Sequence, residues 1–376
     1  MNTTTSGVSH AHVVASSERL LSIDALRGFD MFWIMGGAPF VMDFFRWFAN
    51  PLPAWLERQF DHVPWQGFVA WDLIMPLFLF TVGVAMPFSV GKRMAMGETR
   101  GRIYRKVCTR AVILWLLGMV AQGHLLLFDW HNLQFYSNTL QAIAAGYLIG
   151  SIALVELSVR WQAGLCGALL AVYWALLRFV PVPGHGAGML TPDVNVAMWI
   201  DKGILGRFQD GTTYTWILSS LGFGATVLMG MLAGHLLRSS RPGPQKALWL
   251  ALSGVACLAA GWAWGFAMPI IKHIWTSSMV LWSGGWCLLL LALFYWAIDV
   301  RGYRRWAFFF VVIGMNAIIA YMAPDLIPFT EISTTFFGGL ARHLGMFGNA
   351  LVSFGAMGLL WLPLYYLYRT RTFIRI

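Results

Sequence analysis

Long apolar stretches, separated by short basic or turn-rich segments, dominate this chain of 376 residues. A helix needs about 20 apolar residues to cross a hydrocarbon core about 30 Å thick. The pattern predicts membrane-spanning helices near residues 24–48, 67–90, 108–127, 139–157, 162–182, 215–237, 247–270, 278–298, 307–324 and 346–368. In the segment 326–345, Glu331, Arg342 and His343 interrupt the apolar pattern. We expect this segment to lie outside the bilayer, where an interfacial helix and a re-entrant piece both fit.

The composition supports the same interpretation. Hydrophobic residues make up 58% of the chain and charged residues 11%, whereas soluble domains are about 45–50% apolar and about 25% charged. A soluble domain could not bury so much apolar surface. The sequence therefore predicts an all-α integral membrane protein with about ten transmembrane helices.

The net charge is +10. The distribution of the basic residues along the chain indicates its orientation in the membrane rather than nucleic-acid binding. With the N-terminus inside, 18 of the 26 Lys and Arg residues lie on the cytoplasmic side and seven on the other side, while Arg27 lies within the first span. This distribution follows the positive-inside rule. We therefore expect both termini to be cytoplasmic.

The chain ends and the cysteines add little chemistry. Residues 1–18 are polar and lack the features of a cleavable signal peptide, so we expect a disordered cytoplasmic tail followed by one transmembrane domain over 19–376. The four cysteines fall in apolar stretches without metal-ligand spacing, and we expect neither a disulfide framework nor a metal site. The outer loop 183–214 is long for a connector, which is typical of a functional loop.

The first span carries three ionisable residues, Asp24, Arg27 and Asp30. Asp24 and Arg27 are spaced i,i+3 and can pair on one helix face. Charge inside a membrane is costly and by default marks a functional site. A structural ion pair that fixes the helix end at the interface is the alternative interpretation.

A second group of polar residues leads into the second span. Pro64 suits a first helical position, so we expect His62 at the N-terminus of that helix, where the helix dipole keeps the imidazole neutral. A neutral imidazole can act as a general base or accept an acyl group. Asp72, about two turns deeper, could orient a ring, bind a substrate hydroxyl, or pair with Arg27 or Lys272.

Two further segments carry polar residues at positions where lipid would disfavour them. Lys272 opens an outer turn, and Asn316 lies near the middle of the ninth span. Asn316 needs a partner, and helix-to-helix bonding explains it as well as substrate binding does. Gly146 and other spaced small residues are expected packing sites.

Several blocks of the sequence resemble the transmembrane acyltransferases of the heparan-alpha-glucosaminide N-acetyltransferase family. They follow one another from residue 19 almost to the end of the chain: RLLSIDALRGFDMFWI at 19–34, HVPWQGFVAWDLIMPLFLFTVGVAMPFS at 62–89, NTLQAIAAGYL at 138–148, ILSSLGFGATVLMGMLAG at 217–234, KHIWTSSMVLWSGGW at 272–286 and VVIGMNAIIAY at 311–321. Each block alone is weak, but their shared order makes the resemblance specific.

The resemblance implies an enzyme of a bacterial inner membrane that takes acetyl-CoA from the cytoplasm and acetylates the amine of a glucosamine-ended acceptor outside. The family's essential histidine corresponds to His62. An asparagine of the family is replaced here by Ala38. Candidate residues for binding the sugar or acetyl-CoA are the intramembrane polar groups Asp24, Arg27, Asp30, Asp72, Lys272 and Asn316.

The basic segment 92–110 could bind the CoA phosphates, although topology and anionic lipid also explain its charge. Lipid is an expected partner, and the aromatic-rich spans could support a homodimer, which no motif specifies. Two other functions remain open: an amino-sugar permease or exporter that uses the intramembrane charges, and an O-acyltransferase acting on a cell-envelope glycan.

Overall fold

The protein is described by a computed structural model that covers residues 20–374, and this part is mostly helical. A short antiparallel hairpin, β1 (Pro181–Val182) with β2 (Gly186–Ala187), lies in the connection between residues 180 and 195. The helices are α1 (Leu21–Phe32), α2 (Ala38–Phe48), α3 (Ala54–Glu57), α4 (Ile74–Ala95), α5 (Arg100–Ala121), α6 (Thr139–Glu156), α7 (Val159–Phe179), α8 (Val196–Leu205), α9 (Ser220–Arg238), α10 (Gly243–Gly265), α11 (Ser277–Phe294), α12 (Phe308–Gly314), α13 (Ala317–Leu326), α14 (Phe329–Ala341) and α15 (Met346–Arg369). The predicted tail 1–18 lies outside the described residues.

Within residues 20–374, seven helices are long and apolar enough to cross a membrane. An eighth span is present if α12 and α13, which are bent by 75° at their junction, form one broken crossing. The seven are Ala70–Ala95, Thr139–Glu156, Val159–Phe179, Ser220–Arg238, Gly243–Gly265, Ser277–Val300 and Met346–Arg369. The helical membrane fold agrees with the sequence prediction, while ten spans and cytoplasmic termini stay predictions.

Two predicted spans differ in detail from the helices. The stretch 24–48 is divided between α1 and α2 by a π-helical segment, Trp33–Gly37, in which Gly36 has φ 114°. The stretch 108–127 belongs to α5, which begins earlier, at Arg100, and ends at Ala121 before a 3-10 turn. Basic residues populate the first three turns of α5, so charge rather than hydropathy marks its beginning.

The segment 326–345 forms α14, whose 13 residues would extend about 20 Å, less than the hydrocarbon thickness. It packs along α15, where the Ser333 hydroxyl donates to the Val352 carbonyl at 2.7 Å. A short helix packed on a long one is compatible with both interpretations of this segment, an interfacial helix and a re-entrant piece.

Glycines allow the central helices to approach closely. A Cβ atom at Gly83 of α4 would lie 2.0 Å from the Val227 carbonyl oxygen of α9, and one at Gly230 would lie 2.0 Å from the Phe80 carbonyl oxygen. Gly146 packs against Phe223 and Val227, as its spacing predicted. Backbone contact of this kind is typical of membrane helix pairs, where van der Waals packing replaces the hydrophobic effect. It fixes α4, and hence the loop that precedes it.

Candidate active site

The loop before α4 is held against the loop before α11 by backbone contacts. Gln66 and Ile271 form an antiparallel bridge, and the Gly67 amide donates to the Ile270 carbonyl at 2.9 Å. Gly67 has φ 121°, in the region that favours glycine. These contacts bring together two loops that are about 200 residues apart in sequence.

The expected position of His62 at a helix N-terminus is wrong. The chain is not helical from residue 61 to residue 69, and the helix begins with the 3-10 segment Ala70–Leu73. Pro64 therefore precedes the helix rather than starting it, because the chain must stay extended here to form the bridge to Ile271. Asp72 caps the helix instead, since its Oδ2 accepts the Val69 amide at 3.2 Å.

His62, Asp72 and Lys272 meet at this junction. The His62 Nδ1 atom lies 2.7 Å from Asp72 Oδ1, and the Lys272 Nζ atom lies 3.4 Å from the same oxygen. Asp72 and Lys272 are buried, with side-chain exposures of 1% and 5%, whereas the His62 side chain is 41% exposed. Of the partners that the sequence suggested for Asp72, the structure shows Lys272 and His62.

The geometry assigns the tautomer of the His62 ring. Two acceptors cannot face each other at 2.7 Å, so Nδ1 carries the hydrogen and donates it to the Asp72 carboxylate. Lys272 Nζ, which lies 3.2 Å from Nδ1, then has Asp72 rather than the imidazole as its acceptor. This arrangement leaves Nε2 of a neutral ring with a lone pair, on the exposed side chain.

Hydrogen bonds hold the turn that carries Lys272. The Trp275 amide donates to the Lys272 carbonyl at 2.9 Å, and the Ile271 amide donates to Thr276 Oγ1 at 3.1 Å. The Tyr173 hydroxyl donates to the Ile274 carbonyl. Burial lowers the pKa of Lys272 to about 8, and the neighbouring Asp72 carboxylate opposes this shift.

Sequence reasoning missed two aromatic residues of the site. Tyr214 and His273 stack with centroids 4.2 Å apart and planes 9° apart, and Lys272 Nζ lies 6.0 Å from the centre of the Tyr214 ring. His273 Nδ1 contacts Thr213 Oγ1 at 2.5 Å, and burial lowers the pKa of His273 to about 4, so its ring is neutral. Tyr214 ends the long predicted loop 183–214, whose unusual length was the available signal.

Asp30 lines a cavity of about 230 Å³ beside this cluster. The cavity lies between α1 and the beginning of α4, and Trp71 in its wall has its ring centroid 6.3 Å from that of His62. Asp30 is 1% exposed, and neither carboxylate oxygen has a hydrogen-bond partner among the described residues. The cavity is lined by Phe29, Asp30, Trp33, Gln59, Phe60, Ala70, Trp71, Leu73, Ile74, Leu77 and Leu290.

The other three predicted binding residues have partners of their own. Asp24 Oδ1 lies 3.8 Å from Arg27 Nη1, which is the i,i+3 pair that their spacing predicted. Asn316 separates α12 from α13, donates to the Thr372 carbonyl at 3.3 Å and accepts the Ile374 amide at 3.0 Å. Its side chain thus holds the chain after α15, and its role in ligand binding stays a prediction.

Part of the basic segment 92–110 is also paired. Lys106 contacts Glu98 at 2.5 Å, Arg100 contacts Glu156 at 2.8 Å, and the Arg110 guanidinium lies 4.6 Å from the centre of the Tyr147 ring. Lys92, Arg102 and Arg105 are exposed.

Comparison with curated proteins supports the resemblance predicted from the sequence blocks. Over 325 residues the chain is 22% identical to heparan-alpha-glucosaminide N-acetyltransferase of Homo sapiens. The chain is a distant relative of heparan-alpha-glucosaminide N-acetyltransferase. The Mus musculus protein of the same name is 22% identical over 326 residues, and each match covers 71% of this chain and 49% of the relative. The chain thus spans about half the length of the curated relatives it matches, and no family model matches it.

Proposed function

We propose that this chain is a transmembrane acyltransferase that moves an acetyl group from cytoplasmic acetyl-CoA to the amine of glucosamine, or of a glucosamine-ended glycoside, on the periplasmic side of a bacterial inner membrane. The observation that carries the proposal is the buried Asp72–Lys272 pair, which holds Nδ1 of His62 and leaves Nε2 of this exposed side chain to react. The distant relationship to N-acetyltransferases supports the reaction class.

The chemistry of His62 follows from its tautomer. The Nε2 lone pair can attack the thioester carbonyl and release the CoA thiolate, giving an acetyl-imidazolium that keeps the hydrogen on Nδ1. The sugar amine then attacks the acetyl carbonyl, the ring leaves with its Nε2 lone pair restored, and Nε2 takes the proton that the amine loses. In direct transfer, the same lone pair takes the proton that the amine loses as it attacks the thioester. In both routes the ring becomes positively charged, and the Asp72 carboxylate at Nδ1 stabilises that charge.

Lys272 keeps the buried carboxylate ionised. An isolated carboxylate is costly to bury, and a cation at 3.4 Å offsets this cost. Tyr214 and His273 pack next to Lys272 and give the site an aromatic wall on the outer side. A sugar ring with an apolar face can lie against such a wall while its polar edge reaches the loops.

Acetyl transfer by the purified full-length protein tests the proposal. Labelled acetyl-CoA and glucosamine are supplied, and His62→Ala is compared with wild type and with His185→Ala, which removes an exposed histidine of the outer loop. We expect labelled N-acetylglucosamine from wild type and His185→Ala but none from His62→Ala. Wild-type turnover by folded His62→Ala would exclude His62 as the transfer residue.

The acceptor panel includes an N-blocked sugar and intact labelled glucosamine in proteoliposomes. Acetylation of the N-blocked sugar would indicate O-acyl transfer, and uptake of unmodified glucosamine without acetylation would indicate a permease. Incubation with labelled acetyl-CoA alone separates the two routes, because only the covalent route leaves label on the protein. His62→Ala is the control for that label.

A further inference from the structure

The cavity next to the transfer cluster is lined mainly by hydrocarbon. Four aromatic side chains, Phe29, Trp33, Phe60 and Trp71, form part of its wall, and the other apolar members of the lining are alanine, leucine and isoleucine residues. Burying an apolar group against such a wall is favourable because it removes that group from water. The composition of the wall therefore favours a ligand that is itself a hydrocarbon.

The two polar residues of the lining do not change this chemistry. Asp30 is 1% exposed, and both of its carboxylate oxygens are shielded from solvent, so the carboxylate is not presented to the cavity. Gln59 Oε1 accepts the Ala70 amide at 3.1 Å, and Gln59 Nε2 donates to the Trp55 carbonyl at 3.5 Å. Among the residues that the structure describes, the lining thus offers a ligand apolar contacts rather than hydrogen bonds.

The cavity leads from the protein surface beside His62 into the interior. One face of the helix start contributes wall residues at spacings of three and four, which are Ala70, Leu73, Ile74 and Leu77. Ala70 is exposed and Leu77 is 2% exposed, and at about 1.5 Å per residue this face extends about 10 Å. The Trp71 ring centroid lies 6.3 Å from that of His62. A chain attached at His62 Nε2 can therefore pass Trp71 and lie along this face.

The volume of the cavity limits the length of such a chain. A cavity of about 150 Å³ holds one benzene molecule, so about 230 Å³ holds about nine carbon atoms. An acetyl group would leave most of this volume unused. The tail of a membrane lipid or of a polyprenyl carrier is too long to fit. The volume therefore matches a hydrocarbon chain of intermediate length.

We infer that this cavity binds the hydrocarbon chain of the acyl group that His62 transfers, and that the protein uses medium-chain acyl-CoA donors, such as hexanoyl-CoA, as well as acetyl-CoA. The inference rests on the proposed function, because it takes His62 as the transfer residue. It extends that function from one acyl group to a class of acyl groups defined by chain length.

The longer chain requires no new chemistry. His62 Nε2 forms a bond to the thioester carbonyl carbon while the C–S bond breaks and the CoA thiolate leaves. The amine of the acceptor then forms the amide bond, the ring leaves with its Nε2 lone pair restored, and Nε2 takes the proton that the amine loses. The chain takes part in neither step, so its length changes binding rather than reactivity.

A series of acyl-CoA donors tests the inference with the purified full-length protein in detergent. The value of kcat/KM is measured for acetyl-, butyryl-, hexanoyl-, octanoyl- and lauroyl-CoA with glucosamine as acceptor, each donor below its critical micelle concentration. Each buried methylene group contributes about fourfold in binding. We expect kcat/KM for hexanoyl-CoA to exceed that for acetyl-CoA by at least about tenfold, and that for lauroyl-CoA to fall below the maximum.

Two substitutions of one wall residue separate the cavity from general effects on the fold. Leu290→Trp reduces the volume and should lower the ratio of hexanoyl to acetyl transfer by at least about tenfold. Leu290→Ala enlarges it and should move the preferred chain length toward octanoyl and lauroyl. Leu293→Trp is the matched control, because Leu293 lies on the same helix, is 55% exposed and does not line the cavity. It should keep the wild-type chain-length profile.

The outcomes distinguish the inference from the proposed function. Acetyl transfer without hexanoyl transfer would overturn the inference and leave the proposed function standing. Hexanoyl transfer without acetyl transfer would support the cavity and overturn acetyl-CoA as the donor, whereas no transfer from any donor by the folded protein would overturn both. A value of kcat/KM that rises steadily through lauroyl-CoA, or the same preferred chain length in Leu290→Trp and Leu290→Ala, would also overturn the inference.

Discussion

Replacing Asp72 with Asn keeps the shape of the side chain but removes the negative charge that faces His62 Nδ1 at 2.7 Å. A hydrogen bond to a charged group contributes about 1.5–3 kcal/mol, and losing it when the imidazole becomes cationic slows transfer by about 10-fold to 150-fold. The amide can also turn its NH₂ group toward Nδ1, which favours the tautomer with hydrogen on Nε2. That tautomer has no lone pair at the reacting nitrogen, so we expect the larger loss.

The same substitution lowers stability for a separate reason. Lys272 Nζ lies 3.4 Å from Asp72 Oδ1, and removing the carboxylate leaves a buried cation unpaired. Breaking a buried pair from one side costs about 3–5 kcal/mol of unfolding free energy. The double variant Asp72→Asn with Lys272→Met removes both charges. We expect it to recover most of that free energy while transfer stays at least about tenfold below wild type.

The assay measures the initial rate of acetyl transfer and the thermal unfolding midpoint for both single variants and the double variant in the same detergent. If lost stability alone explained the lost activity, the double variant would recover both. A double variant that transfers acetyl at the wild-type rate would refute the role assigned to Asp72. Equal stability of all four proteins would refute the buried pair.

The pKa of Lys272, lowered to about 8 from its ordinary value of 10.5, gives a pH dependence of stability. Between these values the unfolded chain holds a proton that the folded protein has lost, so raising the pH favours the folded state, by about 3 kcal/mol in total. Unfolding midpoints from about pH 8 to 10.5 should rise relative to those of Lys272→Met, and parallel curves would contradict the lowered pKa. At the α4–α9 contact, Gly230→Ala places a methyl group 2.0 Å from the Phe80 carbonyl oxygen, and overpacking costs about 1–3 kcal/mol. Gly164→Ala, on α7 with nothing within 4 Å, is the control and should be neutral or stabilising; equal unfolding midpoints in the two variants would argue against the close crossing.

The helical membrane fold was predictable because lipid demands long apolar helices, and seven predicted spans match helices that meet that demand. The interruption of the first span was not predictable from hydropathy. Gly36 lies among apolar neighbours, and its φ of 114° depends on packing rather than on local composition. The beginning of α5 was similarly hard to predict from apolar length alone, because basic residues populate its first three turns.

The candidate site was predictable where an intramembrane charge required a partner, as for Asp72 with Lys272. The expectation that His62 lies at a helix N-terminus was wrong. It rested on the preference of proline for the first position of a helix, and that local preference takes no account of the bridge between Gln66 and Ile271. Tyr214 and His273 were missed because both lie in loops, and only the folded chain stacks them. Tertiary contacts between distant loops leave no periodic signal in a sequence.

The separation of His62 and Lys272 by 210 residues has a consequence for biosynthesis. At about 5–20 residues per second, the ribosome needs about 10–40 s to make the chain between them. During that interval Asp72 can have His62 and the Val69 amide as partners but not its cation. The buried pair between Asp72 and Lys272 can therefore form only after the turn before α11 has been made, so assembly of the site is a late event of synthesis.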